Sequence, residues 1–479
     1  MKVTLLSIAL CFISFLNLAQ PADYDIVLMN GRVIDPETGL DAVRNVGIRG
    51  NRIVEISASP LTGKEVIDVS NLVVSPGFID PHVHGMTNKE HEYQAHDGVT
   101  TALELESGID DIGTWLTSQR NKSVVNYGAS ASHPWARAEV KYQTAQKAGN
   151  KELEKGSYTF NYMPLSASEM APTLDLLDIE LKAGALGIGV PIGYYPGATR
   201  EEVYNVYEFA ASRKTLIFTH VREGKALAIQ QAIADAATTG TSLHIVHVNS
   251  MALDEIGLAV RMVANAQKQG LDITTELYPY TAGSTSLESA IFDEGWQQRL
   301  AITYKDIQWV ETGERLTEET FTAYRKKGGT IILHSMKPEW IEAGIKSPVT
   351  MIGSDGMPYS RLAHPRTAGT YSRVLGVYVR ERKTLTLMEA LRKMTIMPAR
   401  RLETISPMMR LKGRIQVGAD ADITIFDPAT IIDKATFEGG LKFSEGIHHV
   451  LVNGVFVVKS GKTLGNVFPG QPVYGKYKQ

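Results

Sequence analysis

The chain has 479 residues, of which 43% are hydrophobic and 21% charged, and its formal net charge is −3. This length is too great for one small core and predicts a barrel of about 330 residues with a smaller second domain. The near-neutral charge and the lack of a long Lys/Arg run in the sequence exclude a general nucleic-acid binder.

The N-terminus has the pattern of a secretory signal peptide. Lys2 is followed by an apolar run from Val3 to Leu18 and then by Ala19-Gln20. We therefore predict a signal peptide over residues 1–20 and an exported protein, either periplasmic or secreted. A buried first helix or strand is the alternative. The run is short for a membrane span, and no other stretch of the sequence is long enough to be one.

The single cysteine, Cys11, lies inside this predicted signal. Leu10 precedes it at a position where a bacterial lipoprotein signal has Gly or Ala, so we expect cleavage near Ala19 or Gln20 and no lipidation. A mature protein without cysteine would contain neither disulfides nor thiolate metal ligands.

Both ends of the remaining chain are rich in predicted β-strands. Short β-branched runs separated by Gly and Asn occur within 24–35, 418–427 and 450–458. Neither end is long enough for a large sheet of its own. We therefore predict one small β-sandwich domain built from residues 21–75 and 407–479, with the middle of the chain inserted between them.

The middle segment, residues 76–406, alternates apolar strands with helical patterns. A strand at 215–220 is followed by a helix at 225–238 and by further strands at 242–248 and 272–278. Repeated β–α units predict an α/β fold with a parallel sheet. A TIM (β/α)8 barrel and an open doubly wound sheet are both compatible, and we favour the barrel because no Gly-rich phosphate fingerprint is present.

The first strand of this segment ends in a pair of histidines. The sequence Gly77-Phe78-Ile79-Asp80-Pro81 leads directly into His82 and His84. Side chains two residues apart point to the same face of a strand, so both imidazoles can face the barrel interior. Two imidazoles at a strand's carboxyl end predict a site for a zinc-like ion.

The second strand contributes carboxylates. Leu103 and Leu105 are expected to face the surrounding helices, which turns Glu104 and Glu106 inward. Buried carboxylates are costly unless a cation or hydrogen bonds compensate them. Glu106 lies nearer the strand's carboxyl end and is the predicted ligand, with Glu104 as the alternative.

Later strand ends supply further ligand candidates. His220 closes one strand, and His247 lies closer to the barrel mouth than His244, which we expect to be packed or hydrogen-bonded. Asp355 follows an apolar strand and precedes Gly356. Such an aspartate is a natural general base that passes a proton to a leaving nitrogen.

These residues resemble the amidohydrolase superfamily and, more narrowly, the N-acyl-D-amino-acid deacylases (D-aminoacylases). The resemblance covers essentially the whole predicted mature chain. Its most distinctive segment runs from Tyr278 to Thr285. Other matching segments are 77–85, 184–187, 195–197, 219–222, 352–356, 364–366, 373–376, 413–428 and 449–454.

The resemblance implies a barrel with a small β-sandwich and one or two zinc ions. It also implies hydrolysis of an N-acyl amide, with a small-molecule N-acyl amino acid or a similar amide as the substrate. It implies a metal role for His82, His84, His220, His247 and Asp355. It also implies that Arg366 and Tyr280, and more weakly Tyr194, bind the substrate carboxylate, and that His133 lies in the pocket. An Arg fork binds a carboxylate in bidentate fashion.

The sequence departs from the family on the second strand, where D-aminoacylases commonly have a Cys ligand. Here Glu104, Glu106 and Ser107 occupy that region. A carboxylate bridges two metals more readily than it replaces one soft ligand, so we favour two metal ions bridged by Glu106. Related enzymes use a carboxylated Lys as the bridge, but the stretch 184–192 contains no Lys.

Two other functions remain open from the sequence. The same site fits a dipeptidase or a hydrolase of cyclic amides or lactones. A catalytically inactive ligand-binding protein on the same fold is a further alternative, although every expected ligand position is filled.

Overall fold

The computed structural model describes residues 24–149, 154, 157–222 and 224–478. The predicted signal peptide lies outside these residues. Within the described part of the chain, the helices are all too short or too polar to cross a membrane.

The described residues form strands and helices in regular alternation through the middle of the chain. The strands are β1 (Tyr24–Asp35), β2 (Leu40–Arg49), β3 (Arg52–Ser57), β4 (Gly63–Asp68), β5 (Val73–Pro76), β6 (Phe78–Asp80), β7 (Val99–Ile109), β8 (Asn126–Ser132), β9 (Ile188–Pro191), β10 (Leu216–His220), β11 (Ser242–Ile245), β12 (Ile273–Leu277), β13 (Gly283–Ser286), β14 (Ile307–Trp309), β15 (Thr330–Leu333), β16 (Thr350–Ile352), β17 (Ile423–Phe426), β18 (Ile447–Val452), β19 (Val455–Lys459) and β20 (Lys462–Thr463). The α-helices are α1 (Asn88–Ala95), α2 (Ile112–Gln119), α3 (His133–Lys147), α4 (Ala167–Ala183), α5 (Arg200–Ser212), α6 (Ala226–Thr239), α7 (Val248–Ala252), α8 (Ile256–Lys268), α9 (Trp296–Leu300), α10 (Glu318–Lys327), α11 (Pro338–Lys346), α12 (Arg366–Arg373), α13 (Leu387–Met394) and α14 (Ile396–Leu402).

Eight parallel strands form the predicted barrel, in the order β16-β12-β11-β10-β9-β8-β7-β6. The two end strands meet just beyond their carboxyl ends, where the backbone amides of His84 and Gly85 donate to the carbonyl of Gly356 at 2.7 and 3.1 Å. The structure therefore confirms the barrel and its inward-facing strand ends. Strand β10 is buried along its whole length, as expected when helices cover a parallel sheet.

The helices between these strands have local start and stop signals. Helix α4 begins with a capping box between Ser166 and Glu169 and ends at Gly184, whose φ of 119° is accessible to glycine. Thr199 caps α5 by accepting from the amide of Glu202. These local signals place each crossover helix between consecutive strands.

Both chain ends join in one nine-stranded sheet, in the order β20-β19-β18-β17-β5-β1-β2-β3 with β4 paired to β1. Its core cluster contains Leu28, Val46 and Ile53 from the first end and Ile423 and Leu451 from the other. The predicted sandwich is thus one sheet drawn from both ends.

The last residues leave the nine-stranded sheet and pack against the barrel. Tyr127 in β8 donates its amide to the carbonyl of Gln471 at 3.1 Å and accepts from the amide of Val473 at 2.7 Å. The segment around 471–473 is therefore attached to a barrel strand rather than to the sheet of the chain ends.

A third, antiparallel sheet of three strands, β13-β15-β14, is inserted between β12 and β16. It has a separate hydrophobic core around Phe292, Trp296, Trp309 and Phe321. Because it starts at Gly283, directly after a barrel strand's carboxyl end, it lies beside the barrel mouth.

Candidate metal centre

Six side chains predicted as metal ligands come together at the carboxyl ends of the barrel strands. Three overlapping groups of them have ligand atoms within 4.8 Å of one another. The members are His82, His84, Glu106, His220, His247 and Asp355. Their function as ligands stays a prediction, but they form one cluster.

Glu106 stands at the centre of the cluster, and its two oxygens face different histidines. Oε2 lies 3.3 Å from His82 Nε2 and 3.1 Å from His84 Nε2. Oε1 lies 2.9 Å from both His220 Nδ1 and His247 Nε2. The carboxylate is therefore in the position of a bridge between two cation sites.

Asp355 completes the half of the cluster formed by the first strand. Its Oδ1 lies 3.2 Å from His84 Nε2 and 2.9 Å from an Arg366 nitrogen. Asp355 and His247 have φ values of 53° and 29°, in the left-handed region that non-glycine residues rarely adopt. Such backbone strain concentrates at functional sites.

Carboxylates behind the first two histidines fix their orientation. Nδ1 of His82 lies 3.0 Å from Glu276 Oε1, and Nδ1 of His84 lies 2.7 Å from Glu104 Oε2. A carboxylate can only accept, so each Nδ1 carries a proton, and each Nε2 would present its lone pair to a bound cation. Glu104, the alternative ligand, therefore supports His84 from behind.

Two supporting residues, Glu276 and Asp80, were not identified from the sequence. Glu276 also accepts from the backbone amide of His247, and Asp80 Oδ1 accepts from the amides of His82 at 3.2 Å and Ser354 at 2.9 Å. Burial raises the pKa of Asp80 to about 6. A carboxylate inside a short buried strand was the available signal in both cases.

Strong electrostatic coupling holds the cluster together. Burial opposes the charged form of His82, but Asp355 and Glu106 raise its pKa well above the ordinary value. Burial likewise opposes ionisation of Glu106, yet His82 and its neighbouring histidines hold the pKa of that carboxyl well below its usual range.

The donor set fits a pair of zinc-like ions. His82 Nε2 and His84 Nε2 lie 3.3 Å apart, and both lie close to Glu106 Oε2, an arrangement that a shared cation would stabilise. Imidazole nitrogens with carboxylate oxygens are typical zinc ligands. His82, His84 and Asp355 would hold one ion, His220 and His247 the other, and Glu106 both.

Two cavities open onto the cluster. The larger, about 520 Å³, is lined by His84 and Glu106, and the smaller, about 90 Å³, by His220 and His247. Tyr194, a predicted substrate contact, lines both cavities, and its ring centroid lies 4.5 Å from that of His220.

Arg366 lines the smaller cavity and retains free hydrogen-bonding capacity. It is 1% exposed and lies over the ring of Tyr278 at 4.6 Å. One guanidinium nitrogen pairs with Asp355 and also donates to the carbonyl of Ser284, while Nε and Nη1 have no partner. A buried, partly unsatisfied guanidinium beside a cavity is suited to an anionic ligand.

Two other predicted substrate contacts lie outside the cavity walls. The hydroxyl of Tyr280 donates to Asp433 at 3.1 Å, and the guanidinium of Arg373 lies over its ring. Tyr278, two residues earlier, lines the smaller cavity instead. The hydroxyl of Tyr280 is therefore bound to a neighbouring carboxylate, and its expected contact with substrate stays a prediction.

His133 also lies behind the wall of the larger cavity. It is fully buried, and its Nε2 lies 3.2 Å from Glu202, while its neighbours Ser132 and Pro134 line the larger cavity. His244 bonds Thr274 through Nδ1 at 2.8 Å, as expected of a packed histidine.

Comparisons with known proteins agree with this geometry. A profile of the amidohydrolase family matches residues 227–458. The N-acyl-D-glutamate deacylase of Alcaligenes xylosoxydans xylosoxydans is 30% identical over 465 residues, covering 90% of this chain and 93% of that protein. The D-aminoacylase of the same organism is 28% identical and covers 91% and 94%.

Solved structures show the same fold. An N-acyl-D-glutamate deacylase from Bordetella bronchiseptica superposes with a TM-score of 0.81 at 24% identity, covering 95% of this chain and 100% of that one. A D-aminoacylase described as having a binuclear metal centre superposes with a TM-score of 0.79 at 26% identity, with the same coverage. The chain therefore belongs to the amidohydrolase superfamily, is a hydrolase of carbon–nitrogen amide bonds, and resembles the N-acyl-D-amino-acid deacylases within it.

Proposed function

We propose that this protein deacylates N-acyl-D-amino acids in a metal-dependent reaction. The observation that carries the proposal is Arg366, whose buried guanidinium has two unpartnered nitrogens beside Asp355 and the metal cluster. A free α-carboxylate next to the reacting amide satisfies that guanidinium. The names of the similar deacylases support the D configuration.

The proposed cofactor is a pair of zinc ions, bridged by Glu106. When bound, such ions would acidify a water molecule and polarise the amide carbonyl. The other residues act around them. Arg366 orients the substrate through its carboxylate and holds Asp355 in place, and Tyr194 borders the position of the amide in both cavities.

Asp355 is the proposed proton carrier. Burial opposes its ionisation, but the nearby Arg366 and His82 hold the pKa of its carboxyl well below the usual range. It is therefore ionised and able to accept the proton of the attacking water and to deliver it to the departing amine nitrogen.

A substrate panel tests the proposal. Zinc-loaded protein is assayed with N-acyl-D-amino acids, the matching L compounds, D- and L-dipeptides, and a cyclic amide. The cyclic amide is included because a dihydroorotase of Streptococcus pneumoniae is 27% identical over 439 residues, covering 84% of this chain and 90% of that protein. We expect the N-acyl-D-amino acids to have the highest kcat/KM. A preference for the dipeptides or the cyclic amide would replace the proposed substrate class, and binding without turnover would indicate a ligand-binding protein.

We also propose that the protein is exported, with residues 1–20 removed as a signal peptide. The basic start and apolar run of the N-terminus support this. N-terminal sequencing of the protein from a secretion-competent host is expected to begin near residue 20 or 21. Recovery of Met1 on the protein inside the cell would contradict the proposal.

A further inference from the structure

The two cavities meet at the metal cluster, where different ligand candidates line each of them. His84 and Glu106 line the larger cavity, whereas His220 and His247 line the smaller one. Asp355 lines both. An amide held over the cluster therefore has its acyl half in one cavity and its amine half in the other.

The smaller cavity suits the amino-acid half. Arg366 provides the partner for an α-carboxylate, and Met251, Leu300 and Leu333 supply apolar walls. With a volume of about 90 Å³, this cavity has little space beyond that half of the molecule. The acyl half must then extend into the larger cavity.

The larger cavity greatly exceeds an acetyl group. Its volume of about 520 Å³ lies within the range of sites that bind drug-sized ligands. The rings of Trp135, Tyr158 and Tyr195 contribute to its walls. Tyr158 is 49% exposed, so about half of its side chain remains accessible at the cavity rim. Aromatic rings of this kind pack against an aromatic ligand edge-to-face or offset-stacked.

Charge selects against an anionic acyl group. Among the described residues that line the larger cavity there is no Lys or Arg, and the ionisable acids are Glu106 and Asp355. The remaining polar groups are mostly hydroxyls, including Ser107, Ser157 and Ser286. Away from the metal centre, a second carboxylate placed here would lose its hydration without gaining a Lys or Arg partner among the described lining residues.

From this division of the site we infer that the enzyme prefers a bulky, uncharged acyl group that carries an aromatic ring, bound against Trp135, Tyr158 and Tyr195. The inference rests on the proposed function and specifies its substrate class. The N-arylacyl bond is cleaved by water, which gives the free aryl acid and the free amino acid.

Three derivatives of one amino acid test the inference. The amino acid is the one that the substrate panel selects. Its nitrogen carries a phenylacetyl, an acetyl or a succinyl group. Zinc-loaded, full-length protein is expected to show a kcat/KM for the phenylacetyl compound at least about tenfold above that for the acetyl compound, with the succinyl compound lowest. Equal or higher kcat/KM for the acetyl or succinyl compound would overturn the inference while the deacylase function stands. Lack of hydrolysis of all three would overturn the proposed function, and the inference with it.

A cavity-filling variant gives a second measurement. Ala138 lies on α3 and lines the larger cavity, so Ala138→Trp is expected to reduce the phenylacetyl-to-acetyl ratio of kcat/KM at least about tenfold. Thr144→Trp, on an exposed part of the same helix, is the matched control and leaves the ratio unchanged. Thermal unfolding of both variants shows whether they fold. An unchanged ratio in folded Ala138→Trp would contradict the placement of the acyl group.

Discussion

At the scale of single residues, Glu106 lies between the two halves of the candidate metal centre. One of its oxygens faces the histidine pair of the first barrel strand, and the other faces His220 and His247. A carboxylate has two donor atoms and can join two ions in this way. Without this carboxylate, the same four imidazoles would form two separate cation sites with less negative charge to balance the bound ions.

Glu106→Gln is expected to reduce bound zinc by at least one ion per chain and to lower kcat at least about a thousandfold, because the amide cannot bridge as an anion. Metal analysis together with steady-state kinetics measures both effects. Glu104→Gln is the matched control on the same strand. Since Glu104 contacts His84 Nδ1 from behind, its loss is expected to cost only about 10–100-fold in zinc affinity or activity. Equal zinc contents and rates in the two variants would contradict the assignment of Glu106.

Asp355→Asn isolates the proton-transfer step. The amide retains an oxygen near His84 but cannot accept a proton, so kcat is expected to fall about 10²–10⁴-fold. Metal analysis of the same preparation separates this loss from loss of zinc. A variant that keeps both its zinc and most of its activity would exclude Asp355 as the proton carrier.

At the scale of elements, helix α12 carries Arg366 to the smaller cavity and is fixed at its other end by Asp97. That carboxylate accepts from the backbone amides of Tyr371 at 2.7 Å and Ser372 at 2.8 Å, and from the Ser444 hydroxyl at 3.0 Å. It thereby connects α12 to the barrel and to the segment before β18. The buried carboxylate of Asp97 thus holds the end of α12 that is distant from Arg366.

This acid predicts a pH dependence of stability. Burial raises the pKa of Asp97 from 3.8 to about 7 in the folded protein. The folded state then binds a proton more tightly than the unfolded state, so the contribution of Asp97 is full below pH 4 and is lost as the pH rises through about 7. Between these values the free energy of unfolding is expected to fall by up to about 1.4 kcal/mol per pH unit.

Denaturant unfolding between pH 4 and 8 measures the effect. In Asp97→Asn the side chain does not ionise, so the contribution of Asp97 to the slope of unfolding free energy against pH is expected to vanish. Asp68→Asn is the control, because that carboxyl is exposed and its pKa is lowered by hydrogen bonds to Ser70 and Asn30. Identical slopes for the parent protein and Asp97→Asn would show that Asp97 does not titrate in this window.

At the scale of the whole molecule, the metal centre joins strands from across the barrel. Its six side chains come from β6, β7, β10, β11 and β16 or the residues that follow them. Ions bound there hold distant parts of the chain together and stabilise the folded state by their binding free energy.

Chelation is therefore expected to lower the unfolding temperature on the order of 5 °C and to abolish activity. Calorimetry before and after dialysis against a chelator measures the change, and added zinc is expected to restore both quantities. The Glu106→Gln variant serves as the control, since it should lose less on chelation. An unchanged unfolding temperature in fully metal-free protein would indicate that the centre does not contribute to stability.

Local patterns in the sequence were sufficient for the barrel, for the shared domain of the chain ends and for the six clustered side chains, because strand periodicity and strand ends are local properties. Distances between side chains on different strands are not local properties, and the sequence alone does not give them. The sequence favoured Glu106 over Glu104 from its position nearer the strand end, but only the tertiary structure shows Glu104 behind His84 and Glu106 between the histidines. Tyr278 rather than Tyr280 reaches the cavity because Asp433, far along the chain, already binds the latter. The cavities and the inserted sheet beside them depend on contacts between distant segments, so only the tertiary structure decided the volumes and the lining residues of the cavities.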